Sequence, residues 1–190
     1  MNNSDLYQML TLRLAQHTPR EIEQPGLAEA GVLVALTDEA HPRLLLTRRA
    51  DHLSTHRGEV AFPGGKRDPE DSNIVATALR EAEEEVALDP RQVRVVGLMD
   101  QVVSRFGYLV TPVLAVIPAD VELVANESEL DAVFCAPLSL FQQPPSRYFE
   151  RQQVKIPSFD YGEFHIWGLT AMMITEMMNH LWDADIEYRI

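Results

Sequence analysis

Residues 60–90 read VAFPGGKRDPEDSNIVATALREAEEEVALDP, and the order of chemistry along this stretch decides the fold. A short apolar strand meets a Gly-Gly turn and a polar loop, and a carboxylate-rich helix follows. Pro90 cannot continue that helix, and Asp71 or Ser72 is suited to cap its start. Val75, Leu79, Ala82 and Val86 recur at spacings of three and four, which predicts one buried apolar face. Glu81, Glu84 and Glu85 stand at i, i+3 and i+4, so their side chains gather on a neighbouring face. Like charges so placed repel, by roughly 0.2–0.5 kcal/mol per pair on an exposed helix. A hard divalent cation turns that repulsion into ligation, because it takes carboxylate and phosphate oxygens together. Arg80, four residues before Glu84, is spaced to orient it by an ion pair.

Outward from this stretch, residues 31–37 (GVLVALT) are apolar without alternation, which predicts a strand buried on both sides. RLLLTRR (43–49) follows a turn at 38–42, and the two runs form a hairpin. Residues 92–104 predict a strand running into a loop, and 108–118 a strand ended by Pro118. A short strand is expected at 121–124 and another within 129–138, with a brief helix from Pro137 to Phe141. Residues 147–167 predict a hairpin turning at 159–162, and 169–182 a helix with Thr170 near its cap. At the other end, residues 4–16 have a loosely helical period, and Thr18–Gly26, with two prolines, predicts a linker. The expected division is therefore an N-terminal helix and linker over 1–25 and one domain over 26–190. Mixed strands with three interspersed helices imply a layered α/β or α+β domain.

Composition bounds the function. The chain has 190 residues, 46% hydrophobic and 24% charged, with a net charge of −13. That charge argues against nucleic-acid binding, which needs cationic surface. It is uneven, however. Between residues 43 and 67, Arg43, Arg48, Arg49, Arg57, Lys66 and Arg67 face only Asp51 and Glu59, a local +4. A basic island beside an acidic helix suits a polyphosphate substrate. The single Cys135 rules out an intramolecular disulfide and fits a reducing compartment. No apolar run reaches the roughly 20 residues that span a membrane. MNNSDLYQMLTLRLAQ lacks the form of a secretory signal, so the cytoplasm is expected and no membrane partner is.

The pattern Gly65-x5-Asp71, a spacer, then REAEEEVAL resembles the signature of the Nudix hydrolases, GX5EX7REUXEEXGU. Gly65, Arg80, Glu81, Glu84, Glu85 and Leu88 match. Asp71 stands where the family has Glu, the spacer is one residue longer, and Ala87 replaces the late Gly. The run LLLTRRADHLSTHRGEVAFPGG resembles the motif LLTxRxxxLxxHxGxVAFPGG of the coenzyme A pyrophosphatase branch. Together the two motifs cover nearly contiguous positions 44–88. Weaker similarity extends through NESELDAVFCAPL and FHIWGLTAMMI.

The resemblance implies a Nudix α/β/α sandwich with a mixed sheet. It also implies a Mg²⁺- or Mn²⁺-dependent hydrolase of a small-molecule substrate, coenzyme A or an acyl-CoA. The alternatives are another nucleoside diphosphate linked to a second moiety, such as ADP-ribose or NADH, or a non-catalytic module that senses a nucleotide. Glu81 and Glu85 are the first metal ligands, with Glu84 close behind as a ligand or catalytic group. Arg80 supports them. Nudix enzymes draw a general base or a further ligand from the region of Glu127 and Glu129; Glu127 is preferred here. Gly64 and Gly65 permit main-chain N–H groups to meet phosphate. Arg48 and Arg57 are candidate phosphate clamps, and His56 a donor to phosphate or leaving group. Trp167, Trp182, Phe106, Tyr108 and Phe164 are candidates to stack an adenine, although buried aromatics are commonly core. The helical stripe Met172, Met173, Met177 and Met178 reads as core or as a homodimer face.

Overall fold

A computed structural model describes residues 5–51, 58–151 and 153–189. In chain order the elements are α1 (Asp5–Leu14), β1 (Ala28–Asp38), β2 (Arg43–Arg49), β3 (Val60–Ala61), β4 (Gly64–Lys66), α2 (Ile74–Val86), β5 (Arg94–Leu98), β6 (Val102–Val103), β7 (Tyr108–Pro118), β8 (Leu130–Pro137), β9 (Arg147–Arg151), β10 (Val154–Tyr161), β11 (Phe164–Ile166) and α3 (Gly168–Trp182). Among the described residues no helix is long and apolar enough to cross a membrane.

β1 is the spine. It runs parallel to β7 along its whole length, from Ala28 opposite Tyr108 to Asp38 opposite Pro118. On its other side β2 pairs antiparallel, with Leu36 opposite Leu44, and β4 pairs nearer the start, with Gly31 opposite Gly65. β8 and β3 extend the sheet from β2, and β5 and β6 from β7. Side chains of a strand alternate between faces, and here both faces are apolar. Leu33, Ala35, Leu45, Val113, Ala115 and Ile117 pack with Ala78, Ala82 and Val86 of α2. Val34, Leu36, Leu44, Leu46, Leu114 and Val116 pack on the opposite face with Leu6 and Leu10 of α1 and Met177 and Met178 of α3. The mixed sheet thus lies between helices, an α/β/α sandwich. The methionine stripe is spent inside this core, and Trp182 packs against it.

Several expectations need correction. The Gly-Gly pair is no turn but the start of β4, an extended segment hydrogen-bonded to β1. Asn73, not Asp71 or Ser72, caps α2; its Oδ1 accepts from the N–H of Ala76 at 3.0 Å. Asp71 is engaged elsewhere, as described below. α2 ends at Val86, before Pro90, which opens a 3₁₀ turn over Pro90–Gln92. Residues 121–124 form no strand. The N–H of Val124 bonds instead to the carbonyl of Val86 and that of Asn126 to Glu85, at 3.0 and 2.8 Å, satisfying the end of α2. Residues 147–166 make three strands rather than a hairpin, with β10 central. Thr170 does not cap α3; its hydroxyl donates to the carbonyl of Val60 at 2.9 Å. The 18–26 linker has no regular structure but is pinned, for the N–H of Arg20 donates to Asp100 and that of Ile22 to Gln101.

Ala87 closes α2 in the left-handed conformation, with φ 56° and ψ 27°. A residue with a Cβ is strained there, and glycine is not. Ala87→Gly should therefore stabilise the protein by about 0.5–1 kcal/mol, read as a higher urea midpoint at unchanged slope. An equal or lower midpoint would show that Ala87 closes the helix without strain.

Candidate active site

The site is built where β4 crosses α2. A Cβ placed on Gly65 would lie 2.5 Å from the carboxyl carbon of Glu81, so only glycine leaves room for that carboxylate. The N–H of the neighbouring Gly64 donates to Glu85 Oε2 at 3.1 Å. On the other strand, a Cβ on Gly31 would meet the carbonyl of Ile74 at 2.8 Å, so α2 rests directly on the backbone of β1. The helical spacing that gathers Glu81, Glu84 and Glu85 does not give them one environment. Glu85 is buried at 4% exposure. The Glu81 side chain is 17% exposed and that of Glu84 56%.

The electrostatics follow from that gradient. Burial pushes the Glu85 carboxyl up to about 7, opposed by the Gly64 hydrogen bond and reinforced by Glu81 and Glu129. Burial likewise raises Glu81, against the pull of Arg80. Two carboxylates held close in a poorly solvated place are costly without a cation.

Arg80 serves more than Glu84. Its guanidinium meets Asp71 through Nε at 3.1 Å and Nη2 at 3.0 Å, Glu84 at 3.2 Å, Glu81 at 3.0 Å and the carbonyl of Lys66 at 3.2 Å. Asp71 also accepts from the Thr77 hydroxyl and the N–H of Asp68. The Arg80 hydrogen bonds hold the Asp71 carboxyl well below the usual carboxylate range. Asp71 thus ties the loop before α2 to the helix and to β4, which is why it is not free to cap.

A second wall comes from β2 and the segment before β8. Alternation along β2 places Arg49 on the face of Leu45, the side that carries α2, and Arg48 on the other face. Arg49 exerts its charge on Glu85. Its Nε is the one buried side-chain polar atom, among the described residues, without a hydrogen-bond partner. Arg48 instead pairs with Glu163 at 2.7 Å and lies over the Phe164 ring, so the structure does not bring it to the carboxylates. The motif LLTxR already places its arginine at position 49. Glu129, half-buried, acts on both Glu81 and Glu85. Glu127, the expected base or ligand, is exposed. His56 and Arg57 lie outside the described residues.

A cavity of about 820 Å³ opens on the opposite face of the sheet. Glu59–Phe62 form part of its wall, two residues from Gly64, and Arg20, Trp167, Leu169 and Met172 also line it. Of the aromatic candidates, Phe106 and Trp167 stand at this wall and are exposed. Phe164 is instead stacked on Phe134 at 3.8 Å.

The NUDIX domain model matches residues 28–155. The chain belongs to the Nudix family. A protein of Escherichia coli O7:K1 (strain IAI39 / ExPEC) named "Uncharacterized Nudix hydrolase NudL" is 42% identical over 154 residues, 78% of this chain and 80% of that one. A MutT/nudix family protein from Enterococcus faecalis superposes with a TM-score of 0.53 at 18% identity, over 96% of this chain and 71% of that chain. The Nudix hydrolase RenU from M. smegmatis gives 0.51 at 23%, over 59% and 71%. These two carry the fold alone. This chain is a Nudix hydrolase.

Nudix enzymes generally use divalent metal ions, and the residues present fit one. The raised Glu85 and Glu81 carboxyls, the cradle at Gly65 and the unpartnered Arg49 Nε are what a cation and an anionic substrate together would satisfy.

One outcome follows for the protein in chelator, and a second for its turnover with Mg²⁺ present. Glu85, at about 7 in the folded state against an ordinary 4.5, favours folding below about pH 4.5, and that contribution is lost as pH rises through 7. Glu85→Gln removes the loss, so at pH 8 it should unfold at higher urea than the parent, by on the order of 1–3 kcal/mol. At pH 5 the two should be nearly equal. A variant no more stable than the parent at pH 8 would show that Glu85 ionises there without penalty. Gly65→Ala should keep the fold, since it sits on a short edge segment, yet cut turnover at least 100-fold by displacing the Glu81 carboxylate. Turnover near the parental level would show that this carboxylate has no fixed place in the reaction.

Proposed function

We propose that this Nudix enzyme cleaves the pyrophosphate bond of coenzyme A or an acyl-CoA, giving 3′,5′-ADP and 4′-phosphopantetheine or its acylated form. The observation that carries the reading is the junction of the two motifs. The run 44–65, which resembles the coenzyme A branch, delivers Arg49 and Gly65 to the same carboxylates that the helix motif supplies. Glu81 and Glu85 would hold Mg²⁺ or Mn²⁺, with Glu84 at the rim. When bound, the ion supplies charge neutralisation at the diphosphate.

The chain's own residues do the rest. Arg49 donates its unpartnered Nε–H to a phosphate oxygen, and its charge offsets the anion in a place where water cannot. Glu129 accepts a proton from the attacking water, and the P–O–P bridge breaks with the leaving phosphate taking the electron pair. Arg80 and Asp71 fix α2 against β4, so the carboxylates keep their spacing. His56, from the branch motif, and the neighbouring Arg57 are proposed for phosphate contacts. The apolar cavity has the volume typical of small-molecule sites and suits a pantetheine or acyl arm.

Hydrolysis of coenzyme A, dephospho-coenzyme A, ADP-ribose and NADH should be compared in Mg²⁺ and in chelator, with products read by mass. Coenzyme A or an acyl-CoA should be cleaved at least tenfold more efficiently than the others, only with metal, and not by Glu85→Gln. Arg49→Ala should lower kcat/KM about 10- to 100-fold, as for a lost hydrogen bond to charge. Preference for ADP-ribose or NADH would move the reading to those substrates, and binding without turnover would make the chain a sensor.

A further inference from the structure

Away from the carboxylate helix, three residues distant in sequence converge. His17 follows α1, Asp100 lies between β5 and β6, and His180 is in the last turn of α3. His17 Nε2 is 2.8 Å from Asp100 Oδ1, and His180 Nε2 is 3.4 Å from Asp100 Oδ2. One ligand atom of each lies within 4.8 Å of the others. The two imidazoles stack with centroids 4.1 Å apart and planes at 26°. Asp100 is buried, and the N–H of Arg20 fixes its Oδ1 at 2.6 Å.

We propose that His17, Asp100 and His180 form a binding site for a zinc-like transition-metal ion that staples the N-terminal segment to the last helix. Two imidazole nitrogens and one carboxylate oxygen are the donor set zinc takes, whereas Mg²⁺ asks for oxygen throughout. Tetrahedral ligands at zinc's bond lengths stand about 3.3 Å apart; the histidines approach the two different oxygens of Asp100, and one atom of each residue within 4.8 Å of the others leaves a small closure to seat an ion. A separate observation agrees. A small pocket of about 10 Å³ is lined by His17, Asp100 and His180 together with Leu14, Met99 and Glu176. That is close to the space of one water-sized sphere, enough for an ion and too little for an organic ligand. The charges also suit a cation. Besides the two imidazoles, Arg20 is the cation beside Asp100 and the buried Glu176 among the described residues, and it pairs with Glu176 at 3.0 Å. With neutral imidazoles the pocket therefore carries one net negative charge.

The staple would brace one wall of the large cavity. Arg20, Ile22, Gln101 and Val102 line that cavity. They are held from the same place: the N–H of Gln101 bonds to the carbonyl of Arg20, and that of Ile22 to the Gln101 side chain, at 2.9 and 2.8 Å. The site's role is structural, so it does not rest on the substrate assignment.

The test uses the full chain, stripped with chelator and dialysed. With Mg²⁺ saturating the α2 carboxylates, titration with ZnCl₂ by calorimetry, and with Co²⁺ by visible absorption, should show a separate site with micromolar or tighter affinity. It should also show the intense bands of tetrahedral cobalt and a rise in Tm beyond the one that Mg²⁺ alone gives at the α2 carboxylates. His17→Gln and His180→Gln should each lose at least tenfold in zinc affinity, and with it the cobalt bands and the rise in Tm. Their Tm in chelator shows whether they fold. A parent protein without the cobalt bands overturns the proposal with no variant needed. Histidine variants that bind zinc as tightly as the parent overturn it too, since the ion would then sit on the α2 carboxylates. Absence of zinc binding would leave the three residues as a hydrogen-bonded clamp.

Discussion

The closeness of β4 to α2 governs the rest of the molecule's chemistry. Gly31, Gly64 and Gly65 lie where a strand backbone, an edge segment and a helix cross, and side chains there would collide with Ile74, with β1 or with Glu81. Because the backbone comes so near, Glu85 is enclosed and meets an N–H rather than water. Desolvating a carboxylate costs several kcal/mol unless a counter-charge is present. One hydrogen bond does not offset that. The free protein thus holds its reactive face in an unfavourable state, as sites often do at some expense of stability.

Asp71 and Arg80 keep that arrangement from relaxing. Arg80 touches three carboxylates at close range and a carbonyl of β4, so the guanidinium joins loop, helix and strand. The shorter Asp, where the family has Glu, reaches Arg80 and the Thr77 hydroxyl together. The longer spacer brings Asn73 into the capping position that Asp71 leaves.

Much of the fold was legible because periodicity is a local signal. The apolar face of α2, the two-sided burial of β1, the strand β7 and the first hairpin all follow from spacing. What escaped had no local signal. Glycines carry no pattern, so β4 is a strand only by its pairing with β1. Residues 121–124 have strand-like composition, yet their backbone bonds go to the end of a helix. In the site, the helix carboxylates were readable, but the gradient of burial among them was not. Arg49 was within reach, since strand alternation separates it from Arg48. The different burial of Glu129 and Glu127 depends on tertiary position, as does the meeting of His17, Asp100 and His180.

The cavity wall has a consequence for how such proteins diverge. The span matched to the family ends at residue 155, yet Arg20, Ile22 and the residues from Trp167 to Met173 that shape the wall lie beyond it. The helix carboxylates and Arg49, the groups proposed to act, all sit inside that span. On the proposed reading, selection can therefore remodel the cavity by altering the segments on either side of that span, while the carboxylate helix stays unchanged. Relatives with the same signature would then differ in diet rather than in reaction.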